Sequence, residues 1–208
     1  MALERLPPKP GAWTITKRQV VATELTQALR LYVVEDDSVS AHLLCGAARD
    51  IIHALSKIEG NDKVWNHLVD HIVEDKQRAF YAALKEEYNF FKHADPNCDM
   101  VTKHYRWETT SYLLWETCID VEYLFGKTFI ETQMFQFWFF SWHPHMVQDE
   151  YAKKLATLRE SMPDRYDAEG RMTFATLRQA FELFAGNGAR KFDVKLPFLA
   201  DERAKPPK

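Results

Sequence analysis

The chain has 208 residues, 46% hydrophobic and 27% charged, enough for one large core or a core with an appendage. A net charge of −3 and a pI near 6.2 argue against a chain that coats nucleic acid through bulk charge. Three cysteines, Cys45, Cys98 and Cys118, with no Cys-x-x-Cys spacing, argue against a disulfide framework and a thiolate zinc site.

In chain order, "MALERLPPKPG" lacks the apolar run and cleavage site of a signal peptide, and residues 1–15 read as a proline-rich extended arm. No stretch reaches the ~20 apolar residues that span a bilayer, so the expected location is the cytoplasm and no membrane partner is expected. Residues 16–34 read as a first helix, with Val20, Leu25, Leu29 and Val33 at near-helical spacing. "EDDS" makes a turn and a cap for a second helix over 40–58. There Leu44, Ala48, Ile51, Leu55 and Ile58 form the expected core stripe. His42, Gly46, Arg49 and His53 lie on the opposite, polar side.

A third helical region covers 63–94 and stops at Pro96, which disfavours helix in the residue before it. A fourth spans 108–125 and ends at Gly126. A fifth starts near Thr128, carries "MFQFWFFSW" and stops at Pro144. Two amphipathic helices flank the turn-rich "PDRYDAEGR", and the charged tail 200–208 reads as loose. Alternation of strand type is missing except weakly in "KFDVKLPFL". The expected class is all-α: a bundle of about five helices over 16–146 and a helical extension over 147–199.

The third helix ends in "EEYNFFKHAD" (Glu86–Asp95). On a wheel of ~100° per residue, Ala79, Ala82, Ala83, Glu86, Asn89 and His93 share one side. Phe80, Leu84, Tyr88 and Phe91 take the core side. Small residues permit close approach by another helix, so Glu86, Asn89, Lys92 and His93 are candidate binding residues on a polar seam. His93 lies in the last turn, where free carbonyls favour an imidazolium, and is the candidate general acid.

"YNFFKH" and the alanine-rich "SAHLLCGAARDII" resemble the HEPN superfamily, helical bundles with a short polar motif late in a long third helix. Over about 20–146, the blocks "ALRLYVVEDDSVSAHLLCGAARDI", "EYNFFKHAD" and "QMFQFWFFSWH" also resemble an uncharacterised bacterial family. The HEPN resemblance implies a homodimer. In active members it also implies RNA cleavage without a metal, by an arginine and a histidine. Asn89 and His93 match that motif, but Tyr88 stands at the arginine position, and a phenol supplies no permanent cation to a phosphate. Lys85, Lys92 or Arg49 would have to substitute from beside His93.

Three functional expectations follow. The first is a non-catalytic HEPN-like module for binding or dimerisation, with its seam at Glu86, Asn89 and His93. The second is a metal-independent ribonuclease with a rearranged cation near His93. The third is a metal enzyme using His67 and His71, which are spaced i,i+4 with Glu74 nearby but have no evident third ligand. His42, Arg49 and His53 could hold a nucleotide or RNA phosphate, or simply form an exposed polar face. His143 and His145 read as a helix stop. The aromatic run must be covered by the C-terminal helices or a second subunit. No cofactor is named by any motif.

Overall fold

A computed structural model describes residues 14–60, 64, 74–92, 105–126, 129–147 and 149–185. Among these the fold is all-α, as expected. It has seven α-helices: α1 (Lys17–Val33), α2 (Ser38–Glu59), α3 (Glu74–Lys92), α4 (Trp107–Phe125), α5 (Ile130–Trp142), α6 (Asp149–Ser161) and α7 (Phe174–Ala185). Pairing of strand type is limited, among the described residues, to an isolated Tyr166–Met172 bridge. None of the described helices is long and apolar enough to cross a membrane.

The chain divides into two compact units, Met1–Gly126 and Lys127–Lys208. The division falls before α5, so the aromatic helix belongs with α6 and α7 rather than with the first four.

In the first unit, local chemistry sets the helix ends. Thr16 caps α1 by accepting from the Gln19 N–H, and the Gln19 side chain returns to the Thr16 N–H. Asp37 caps α2 by accepting from the Ser40 N–H at 2.9 Å. α2 ends at Gly60, whose φ of 64° is open to glycine without strain. The helices α1 and α2 form an antiparallel hairpin: Arg18 at the start of α1 pairs with Glu59 at the end of α2. The Arg18 guanidinium also lies over the Phe125 ring at the end of α4, 4.6 Å from its centroid. α4 therefore runs parallel to α2.

α2 is the hub, touched by α1, α3 and α4. Its buried side is not the stripe expected from sequence. Ile58 is 81% exposed, and Leu44, Ile51 and Leu55 are half-buried. Ala48 of that stripe is buried, and the other buried residues are Ala41, His42, Cys45, Gly46, Arg49, Ile52 and Ser56. The polar side of α2 thus faces inward, because α4 and α3 carry partners for it.

In the second unit α7 packs on α5. Trp138 meets Phe174 edge-on at 5.4 Å, and Leu177 and Phe181 are buried. The Trp142 indole N–H donates to the Met172 carbonyl at 2.9 Å, and the Met172 N–H donates to Ser141 Oγ at 2.9 Å. The expected cover for the aromatic run is therefore supplied in part by a C-terminal helix. α5 ends at Trp142, and Pro144 opens a short 3₁₀ turn, so the helix stop at His143 and His145 stands where expected. Burial lowers the His143 imidazole below its ordinary range, and His145 adds to the effect.

Candidate functional site

The described part of the first unit contains a polar seam between α2 and α4 with α3 laid over it. Three tyrosines, Tyr81, Tyr88 and Tyr105, join its surface to its interior.

At one end, His42 on α2 is fully buried, with Nδ1 3.1 Å from Thr110 Oγ1 on α4. The Tyr105 hydroxyl is 2.8 Å from the same oxygen, and Thr110 donates to the Ser38 carbonyl at 3.3 Å. Phe91 and Tyr105 stand edge-on to the His42 ring at 5.6 and 6.4 Å. In the middle, Cys45 Sγ lies 3.1 Å from Thr117 Oγ1, and burial pushes the Cys45 thiol up to about 12, where it is not a nucleophile at neutral pH.

At the other end Arg49 is 6% exposed and ion-paired with Glu116, itself 1% exposed. The Tyr81 hydroxyl of α3 reaches Glu116 Oε1 at 3.5 Å, and the Arg49 guanidinium lies 5.9 Å from the Tyr81 ring centroid. One turn further along α4 is Asp120, also 1% exposed. Burial raises the Glu116 carboxyl, with Arg49 opposing. Burial, and then the Glu116 charge, hold Asp120 well above the ordinary carboxylate range.

The tightest described contact of α3 on α2 is at Gly46. The Tyr88 ring lies directly against Gly46, where a β-carbon would overlap it. Its hydroxyl donates to Asp50 Oδ2 at 3.1 Å, and Lys92 Nζ approaches the same carboxylate at 3.8 Å. Tyr88 and Phe91 thus lie on the packed side of α3. Ala79, Ala82, Ala83, Glu86, Asn89 and Lys92 are exposed.

These placements correct the expected phosphate face. His42 and Arg49 are interior groups, because Thr110 and Glu116 of α4 give them partners that water would otherwise supply. His53 alone of that row is half-exposed, and burial lowers its imidazole. Arg49, committed to Glu116, also leaves the set of cations that could replace the missing arginine at Tyr88; Lys85 and Lys92 are exposed. His93, His67 and His71 lie outside the described residues. Among the described residues no group of three or more His, Cys, Asp or Glu side chains could hold a metal ion.

Glu116, Asp120, Tyr81 and Thr110 had not been singled out, nor had Glu87. The last is half-buried, and burial followed by the charge of Glu86 pushes its carboxyl up to about 7. The available signal was α4 itself. "YLLWETCIDVEYLF" sets Glu116 and Asp120 at i,i+4 inside an apolar helix, where acids require internal partners.

Compared with known proteins, the chain matches no family model, no curated protein and no solved structure.

Proposed function

We propose that the first unit is a non-catalytic, HEPN-like helical module that self-associates through the outer face of α3. The observation that carries this reading is the two-sidedness of α3. Its tyrosines and Phe91 are turned to α2 and α4, while Ala79, Ala82, Ala83, Glu86 and Asn89 form a continuous exposed stripe.

A second copy of this chain suits that stripe. Alanines let two helix axes approach closely, and an antiparallel pair with Ala82 of one copy against Ala82 of the other obeys twofold symmetry. In that register Arg78 of each chain comes level with Glu86 of the other, so the flanking charges are complementary. Asn89, at the edge of the stripe, adds a donor and an acceptor. The interior groups do not argue for catalysis. Arg49 and Glu116 neutralise one another, and Cys45 is held as a thiol.

Light scattering and sedimentation velocity test the proposal. The wild-type protein is expected at twice its 24.4 kDa chain mass. Ala82→Arg and Ala83→Arg, at exposed sites, should be monomeric with unchanged helical content. A wild-type monomer at every concentration, or an Arg variant that still dimerises, would sink it.

A further inference from the structure

Among the described residues, the seam beneath α3 holds more acid than base. Arg49 is engaged by Glu116, yet Asp120 lies one turn along the same face of α4, 1% exposed, with neither carboxylate oxygen hydrogen-bonded. Among the described residues, the titratable groups acting on it or feeling it are Arg49 and Cys45 from α2, Tyr81 from α3, and Glu116 and Cys118 from α4. Of these, Arg49 alone is a cation. An ionised Asp120 would be a second buried anion beside Glu116, without solvent or a hydrogen-bond donor to hold it, an arrangement that proteins avoid by keeping the acid protonated. From α1, no described titratable group is among those acting on Asp120: Tyr32 is kept neutral by burial beside Ser111 and Glu108 at the start of α4, and burial raises the Glu24 carboxyl with Lys17 opposing.

We infer that Asp120 is folded into the first unit as the neutral acid, and that its ionisation is an alkaline trigger that loosens the contact of α4 with α2 and α3. The chemistry is a single step: the carboxyl O–H breaks, the proton leaves to solvent, and a carboxylate stays behind next to Glu116. The carboxylate is relieved when α2 and α4 part enough to admit water. That movement takes Glu116 from the Tyr81 hydroxyl, and so reaches α3. The sign follows from linkage. The unfolded chain releases the Asp120 proton near the ordinary value of 3.8, and the folded chain keeps it to a higher pH. Folding therefore takes up a proton in that window, and stability falls as pH rises through it. An ordinary salt-bridged aspartate does the reverse.

Thermal unfolding of wild type, Asp120→Asn and Asp120→Leu from pH 5 to pH 8.5 tests the inference, with the infrared carbonyl stretch of protonated carboxyls as a direct readout. Relative to wild type, both variants should gain Tm steadily as pH rises, by about 2–4 °C or more across the range. The protonated-carboxyl band of the wild type at pH 7 should lose intensity in both. A Tm difference that is flat or falls with pH overturns the inference, and so does a band left unchanged by both substitutions. Failure of both neutral variants to fold at any pH overturns it too, because the fold would then require the carboxylate.

Discussion

Gly46→Ala separates helix propensity from packing in one substitution. In a solvated helix the change stabilises by about 1 kcal/mol, because alanine has less backbone freedom to lose. At Gly46 the new methyl would occupy the space of Cγ, Cδ2 and Cε2 of Tyr88. These are ring atoms with no flexible end to give way, so either the α2–α3 contact widens or Tyr88 leaves the notch. Overpacking of that kind costs about 1–3 kcal/mol. Expulsion of the ring would forfeit about 1.5–3 kcal/mol of burial. It would also forfeit about 1 kcal/mol for the hydrogen bond to Asp50. After the propensity gain, a net loss of up to about 2 kcal/mol is expected for overpacking and about 1.5–3 kcal/mol for expulsion, at roughly 2–4 °C of Tm per kcal/mol in a chain of this size. Urea unfolding with far-UV circular dichroism gives the total, and hydrogen exchange along α3 gives its location. The cycle with Tyr88→Ala isolates the contact: without the ring, Gly46→Ala should stabilise. Stabilisation by Gly46→Ala in the wild-type background would refute the packing argument.

Two further outcomes follow from the seam, beside the α3 dimer and the Asp120 trigger. Arg49→Ala should destabilise by about 3–5 kcal/mol, because Glu116 is left buried without its cation; adding Glu116→Gln should recover part of that in denaturant titrations, and additivity of the two changes would count against the pair. Glu87, with its carboxyl raised to about 7, should titrate near neutrality when followed by carboxyl NMR shifts. Its folded form holds a proton that the unfolded form has released, so its contribution to stability is present below the ordinary glutamate range and lost as pH rises through about 7. Glu87→Gln should remove that component, and an ordinary glutamate titration would refute it.

The contrast between α2 and α3 shows how much was legible. On α3 the wheel sorted the faces correctly: Tyr88 and Phe91 pack, and the alanines, Glu86 and Asn89 are exposed. Aromatic residues there left little choice, since only one side could bury large apolar area. On α2 the same reasoning chose the aliphatic stripe and turned His42, Gly46 and Arg49 outward, and the fold reversed it. Hydrophobic periodicity ranks faces by their own transfer free energy. It carries no information about Thr110, Thr117 and Glu116, lying more than sixty residues away, which make burial of the polar side favourable. Within "EEYNFFKHAD", the wheel points to Glu86 and passes over Glu87, whose carboxyl is raised by half-burial and then by a neighbouring charge, which are properties of position, not composition.

The helical class, the helix ends at Thr16, Asp37, Gly60 and Gly126, and the two faces of α3 were written in local chemistry: side-chain caps, left-handed glycines and aromatic spacing act within a few residues. The inward turn of α2, the union of Arg49 with Glu116, the seating of Tyr88 on Gly46 and the isolation of Asp120 arose from helices distant in sequence. Burial, hydrogen-bond satisfaction and the field at a carboxyl are sums over neighbours, and those neighbours exist only once α2, α3 and α4 have packed.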